Sequence, residues 1–296
     1  MSKTNRQYKD SVFVDLFAND EKAKERFLDL YNALHGTNLP LSVPVEQLRL
    51  DNVMYMSIVN DVSCLVDNKI IVLAEHQSTI NENMPLRCLE YIARLYEKVQ
   101  APTDRYLRKL SPIPAPEFYV FYNGLEEYPE KTTLKLSDAF AEKQDKPQLE
   151  LTVTVFNINK GKGAEVLHRC KPLDEYSLFV EEVREQQKLD SENGFTNAVK
   201  MCIEKGILKE YLQRKSREVI NMLVAEYNYT EDIATQRAEE RLIAFSKGIA
   251  QGRSEGIAQG FSDGVRETAA AFKKMGIPIA KIAEGTGLTK EEIEKL

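Results

Sequence analysis

The sequence predicts an α/β fold that ends in an all-helical C-terminal region. Three observations carry this reading. Hydrophobic residues make up 43% of the 296-residue chain and charged residues 29%, a composition that can bury a sizeable core. Between residues 53 and 158, short apolar runs at strand spacing surround one long stretch of helical period. Beyond about residue 172 only the helical period remains. A core of strands and helices with a helical tail satisfies all three.

Residues 10–35 have helical spacing in Val12, Phe13, Leu16, Phe17, Phe27, Leu28, Tyr31 and Leu34, with Asn19-Asp20 as a break or cap. Gly36 suits the C-terminal cap, and Pro40 and Pro44 mark a connection. Strand-like runs follow at Val53–Ile58, Asp61–Val66 and Lys69–Glu75. The third is apolar on both faces and belongs in the middle of a sheet. Asp67-Asn68 is a hairpin-turn signal. Residues 84–109 form an amphipathic helical pattern through Leu89, Ile92, Leu95, Tyr96 and Val99, with Pro85 in the first turn and Asn81 or Asn83 as the cap. Pro112, Pro114 and Pro116 lead into a strand at Glu117–Tyr122, which Asn123-Gly124 ends. Leu151–Ile158 alternates as a further strand.

The division expected from this order is a core domain over residues 1–195 and a helical region over 196–296. In the second, Gly248, Gly252, Gly256, Gly260 and Gly264 recur every four residues. On a helix they trace one slowly drifting stripe, and each costs roughly 1 kcal/mol relative to alanine. Close approach of a second helix would offset that cost, and a partly helical hinge would not need to. Residues 277–296 read as two short helices about Gly285-Thr286-Gly287, with Pro278 at a helix start and Thr289 and Glu292 as a capping box.

Several function classes are excluded or disfavoured. No apolar run approaches the ~18–20 residues of a membrane span, and the first ten residues contain no apolar signal core. A cytoplasmic protein is expected. Cys64, Cys88, Cys170 and Cys202 form no C-x-x-C pair, and His35, His76 and His168 are scattered, against a disulfide framework or a zinc centre. The net charge is −6, against a uniformly basic nucleic-acid surface. The acid excess lies in the middle, where residues 111–195 hold 10 Lys+Arg against 16 Asp+Glu. A Walker A loop, G-x-G-x-x-G, G-x-S-x-G and H-E-x-x-H are all absent.

What remains is an acidic pair on the second and third strand runs. With a three-residue loop, Asp67-Asn68-Lys69, Asp61 falls opposite Glu75, their β-carbons ~4.5–5.5 Å apart. A two-residue loop shifts the register by one and leaves them diagonal neighbours. Like charges so placed repel unless a cation lies between them. A hard divalent ion such as Mg²⁺, or Mn²⁺, accepts carboxylate and carbonyl oxygens. Glu75 and Gln77, two apart, are expected on one face. The candidate site is therefore Asp61, Glu75 and Gln77, with the backbone carbonyl of His76 as a further ligand. A metal there would activate water against a phosphodiester. The alternative is a strand-end carboxylate in each case. Arg87 and Arg94 are seven apart on the polar face of the following helix, where they could contact phosphates or pair with Glu90 and Glu97.

The runs Asn60-Asp61-Val62-Ser63, Glu75-His76-Gln77-Ser78-Thr79-Ile80 and Asn83-Met84-Pro85-Leu86-Arg87, followed by Tyr91 and Tyr96, resemble one family. It is the recombination-promoting nuclease or putative transposase family of the PD-(D/E)XK nuclease superfamily. Asp10-Ser11-Val12-Phe13, the strand ending in Tyr122-Asn123-Gly124 and the glycine-stepped tail extend the resemblance over nearly the whole chain. It implies a restriction-endonuclease-like mixed sheet flanked by helices and Mg²⁺-dependent cleavage of DNA. It equates Asp61 with the first acid and Glu75 with the glutamate of E-x-K. Gln77 stands where the superfamily pattern has lysine, so a dipole replaces a charge. A substitute cation could come from Arg87 or Lys69, and an additional acid from Asp10 or Asp15. The C-terminal helices would serve a homodimer or DNA engagement. The alternative from another class is a catalytically weak or inactive nuclease-fold scaffold that acts through helix-mediated oligomerisation.

Overall fold

A computed structural model describes residues 11–48, 61–77, 80–162 and 165–296, with backbone alone at 61, 72–77 and several positions between 228 and 258. Two compact units divide it, Met1–Tyr227 and Asn228–Leu296. The expected strand at Val53–Ile58 lies outside the described residues.

Among the described residues the first unit is built on a six-stranded mixed sheet. Its strands are β1 (Val45–Gln47), β2 (Asp61–Val66), β3 (Lys69–Gln77), β4 (Ala115–Tyr122), β5 (Lys131–Lys135) and β6 (Thr152–Asn157), in the spatial order β1-β2-β3-β4-β6-β5. β3 is central, as its two apolar faces predict. It runs antiparallel to β2 and parallel to β4, and β4 runs parallel to β6. β1 and β5 are edge strands that the sequence reading passed over. Both are short, and β5 alternates exposed and half-buried residues, so neither gives an apolar run.

One face of the sheet packs on α3 (Met84–Val99), through Ile70, Phe118, Val120, Tyr122, Val153 and Val155 against Met84, Cys88, Tyr91, Ile92 and Leu95. Pro85 occupies the first turn, where its missing N–H costs nothing. The helix is ten residues shorter than expected. Gln100 is already extended, because Pro102 disfavours helical backbone at Ala101.

The other face carries Val62, Cys64, Val66, Ile71, Phe121, Phe156 and Ile158. Against it pack α1 (Val12–Val14), a π-helical turn at Asp15–Asn19, α2 (Ala23–His35), α4 (Glu165–Arg169) and α5 (Lys171–Leu189). The chain breaks between α1 and α2 at Asp20, whose backbone is extended, and Gly36 ends α2 in the left-handed region at φ 64°. Phe13 is the hub, 4.7 Å from Phe17, 5.7 Å from Phe121 and 5.4 Å from Tyr176 between ring centroids.

α6 (Gly194–Lys205) and the first turns of α7 (Lys209–Lys274) join this core through Val199, Cys202, Leu208, Tyr211, Leu212, Val219 and Leu223. The boundary expected near residue 195 therefore marks the start of α6 within the first unit. In the second unit α8 (Ile279–Thr286) and α9 (Lys290–Lys295) close a small core of Ala269, Ile282 and Ile293. Thr289 and Glu292 form the expected capping box. The stepped glycines all lie within α7, and among the described residues a β-carbon at any of them would meet nothing within 4 Å.

The β2–β3 hairpin corrects the register assumed for the acidic pair. Its loop is two residues, Asp67 and Asn68, with φ values of 48° and 58°. Two successive left-handed residues make the primed turn that suits the twist of paired strands. Asp61 is consequently paired with Ala74 and not with Glu75. Regular alternation then sets positions 61 and 75 on alternate pleats, since a one-residue slip exchanges faces. They are neither opposite each other nor diagonal on one face.

Candidate active site

Of the candidates, positions 61, 75 and 77 lie at the carboxyl end of β3. This is the end where open α/β sheets form ligand crevices. Glu75 pairs with Phe121 of β4 and Gln77 with Tyr122, so the register shifts across His76. A bulge of this kind re-aims side chains at strand ends. It also interrupts the two-residue period on which a common face for Glu75 and Gln77 was expected. The side chains of Asp61, Glu75, His76 and Gln77 lie outside the described residues, as does Asp10. Among the described residues no group of three or more His, Cys, Asp or Glu could hold a metal ion.

Lys69 is not available to the site. It begins β3, and its ammonium lies 2.7 Å from Glu117 Oε1 at the far end of the strand. The six residues from Lys69 to Glu75 span about 20 Å at ~3.3 Å each. Arg87 is half-buried, with Nη1 3.5 Å from Met84 Sδ. Arg94 is exposed on α3. Among the described residues neither arginine is ion-paired with Glu90 or Glu97.

Asp15, one of two candidates for an additional acid, belongs to a buried ionic cluster. Its carboxylate accepts from Tyr211 Oη at 2.8 Å and Lys215 Nζ at 2.9 Å. Next to it Asp20 accepts from Arg26 at 2.6 Å and from Arg214 at 2.9 and 3.2 Å. Burial alone would raise Asp20. Arg214, the Lys22 N–H and Arg26 outweigh it and hold the carboxyl well below the usual range.

Sequence reasoning missed a polar cluster at the neighbouring strand ends. Asn123 directly follows β4. Arg184 of α5 donates through Nη2 to the Asn123 carbonyl and through Nη1 to Asn159 Oδ1 at 3.0 Å. Asn159 Nδ2 donates to the Gly124 carbonyl and to Asn157 Oδ1, each at 2.9 Å. Asn157 Nδ2 donates to the Tyr128 carbonyl at 2.8 Å. Burial lowers the Arg184 guanidinium from its ordinary value. The only signal in the sequence was Tyr122-Asn123-Gly124, which reads as a strand terminator. Glu226 of α7 was missed as well. It accepts the Val12 N–H at the start of α1, and burial pushes its carboxyl up to about 7.

Nucleophilic cysteine chemistry has no support here. Cys64, Cys170 and Cys202 are buried, and desolvation pushes their thiols up to about 12, where the thiolate is scarce. Among the described residues no helix is long and apolar enough to cross a membrane.

A family model described as "Putative transposase, YhgA-like" matches residues 65–237. The chain belongs to this family. The matched span includes β3 with Glu75 and Gln77, α3 with both arginines, and the cluster of Asn123, Asn157, Asn159 and Arg184. In this YhgA-like chain Asp10, Asp15 and Asp61 precede the matched span. Searches of curated proteins and of solved structures return no match.

Proposed function

We propose that this protein is a metal-dependent endodeoxyribonuclease whose phosphodiester hydrolysis serves recombination or the movement of mobile DNA. The observation that carries the reading is the transposase-family match across the strand that bears Glu75 and Gln77. The bulge at the end of that strand supports it, because such irregularities recur beside active sites.

Asp61, Glu75 and the His76 carbonyl would hold Mg²⁺ or Mn²⁺, and an all-oxygen donor set suits a hard cation. Joining positions 61 and 75 on one ion requires the first residue of β2 to turn out of the regular pleat. When bound, the ion would lower the pKa of water and polarise the phosphate. The chain's own residues supply the remainder. Gln77 offers an amide dipole to developing charge. Arg87 and Arg94 on α3 are the proposed phosphate contacts. Asp15 is committed to Lys215 and Tyr211, which leaves Asp10 as the additional acid. In the net reaction the water oxygen bonds to phosphorus and one ester P–O bond breaks. The departing sugar oxygen takes up a proton that the water loses.

Plasmid cleavage with Mg²⁺ or Mn²⁺ tests this reading. The wild type should cut, and Asp61→Ala and Glu75→Ala should each reduce cutting by about 100-fold or more. Cutting that survives both substitutions would place the active site elsewhere.

A second reading keeps the fold and gives it an assembly role. The stripe of Phe245, Ile249, Ile257 and Phe261 along α7, each more than half exposed, favours it. We propose on that ground that the chain forms a homo-oligomer through this helix, which also suits two-strand cleavage. Light scattering of wild type and Gly256→Leu tests the assembly, and plasmid cleavage by the same proteins distinguishes the readings. A folded wild type that assembles and never cuts would establish the scaffold.

A further inference from the structure

Asn123 is 2% exposed, and neither Oδ1 nor Nδ2 has a hydrogen-bond partner among the described residues. No other described side chain leaves two buried polar atoms in that state. An idle buried amide costs about 1–3 kcal/mol, and folded proteins rarely retain one without a use. Its surroundings sharpen the contrast. Asn157 and Asn159 spend their amides on the Tyr128 and Gly124 carbonyls, and Arg184 pins the carbonyl of Asn123 itself. The backbone at 123 is thus fixed by a guanidinium while the side-chain amide is left over.

Its place in the sheet gives that amide a use. Tyr122, the preceding residue, pairs with Gln77 of β3 on one side and with Asn157 of β6 on the other. Asn123 therefore sits at the carboxyl ends of the central parallel strands, one residue beyond the partner of Gln77. We infer that Asn123 is a positioning residue of the hydrolytic site, its amide holding the attacking water at the ends of β3 and β4. The inference rests on the nuclease reading. A neutral amide presents a donor and an acceptor together, and a water molecule answers both. Asn123 neither gains nor loses a proton in the reaction. It fixes the water whose oxygen bonds to phosphorus as the ester P–O bond breaks, and the departing oxygen takes up a proton in return.

The test compares the full-length wild type with Asn123→Leu, Asn123→Ser and Asn157→Leu. Melting is measured in EDTA, and kcat and KM for plasmid cleavage in Mg²⁺. Asn157→Leu should melt below wild type, because its amide is in use. Asn123→Leu should melt at or above wild type and cut with kcat reduced about 100-fold at little-changed KM, a loss typical of a positioned catalytic hydrogen bond. Asn123→Ser, whose hydroxyl also donates and accepts, should recover about tenfold of that loss. If Asn123→Leu does not fold, the serine variant decides alone, through a reduced kcat with KM retained. Wild-type kcat in a folded Asn123 variant would overturn the inference and leave the nuclease reading intact. So would a melting loss equal to that of Asn157→Leu with activity falling only as the folded fraction falls. A wild type that binds DNA and never cuts would sink both.

Discussion

His35 Nε2 at the end of α2 lies 2.5 Å from Glu117 Oε2 at the start of β4. The same carboxylate accepts from Tyr119 Oη at 2.9 Å and is paired with Lys69 at 2.7 Å. One acid therefore fastens a helix and two strands at the amino end of the parallel strands, opposite the candidate site. Burial would raise Glu117, but Lys69, His35 and Tyr119 more than offset it and lower the carboxyl below its ordinary value. Glu117→Gln should cost about 1–3 kcal/mol, measured by urea unfolding at neutral pH. Cleavage by the folded variant should be unaffected, since Lys69 is remote from Glu75.

Asp20 is the stronger acid-sensitive group. Its folded-state carboxyl is held well below the unfolded value, so its stabilisation is present above about pH 4 and is lost as pH falls through the folded value. Asp20→Asn should lower stability by about 3 kcal/mol at pH 7, because it strands Arg26 and Arg214. It should flatten the acid limb of the stability curve below pH 4. Chemical denaturation at a series of pH values measures both effects.

Glu226 has the opposite sign. Burial raises its folded-state carboxyl to about 7 from an ordinary 4.5. Below pH 4.5 both states are protonated and nothing is lost. Between 4.5 and about 7 only the unfolded state ionises, so stability falls as pH rises, and the loss is complete above that. Glu226→Gln keeps an acceptor for the Val12 N–H. It should raise the melting temperature at pH 8 and have little effect at pH 4.

The hairpin turn offers a gain. Asn68 holds φ 58°, a conformation in which glycine carries no β-carbon penalty. Asn68→Gly gives the Asp-Gly pair that primed two-residue turns prefer. It should stabilise the domain by roughly 0.5 kcal/mol, and Asn68→Val should destabilise it by more than that. Thermal melts read both.

Where local pattern decided the outcome, the sequence was readable. β3 was recognisable because Ile70 to Ala74 is apolar without a break, and α2 because its stripe ends on Gly36. The capping box at Thr289 was equally plain. The end of α3 escaped because Pro102 limits a residue ahead of itself while the apolar stripe is still running. β5 escaped because an edge strand such as Lys131–Lys135 buries too little to need a pattern. The site was readable only as residue types. Asp61, Glu75 and Gln77 could be picked out by chemistry, but their register depended on one residue of loop length. Asn123 and Arg184 are 61 apart in sequence, and their contact depends on where α5 crosses the end of β4. No local spacing encodes that.

The ionic cluster at Asp15 and Asp20 bears on how the protein is made. Their partners Tyr211, Arg214 and Lys215 lie 194 to 200 residues later. During translation at ~5–20 residues per second, Asp20 has Arg26 at once, but the first helices wait tens of seconds for the partners that α7 supplies. A polypeptide released at residue 195 would contain every strand of the sheet and still carry Asp15 and Asp20 without those partners. Expression fragments intended to isolate the sheet domain should extend through Tyr227.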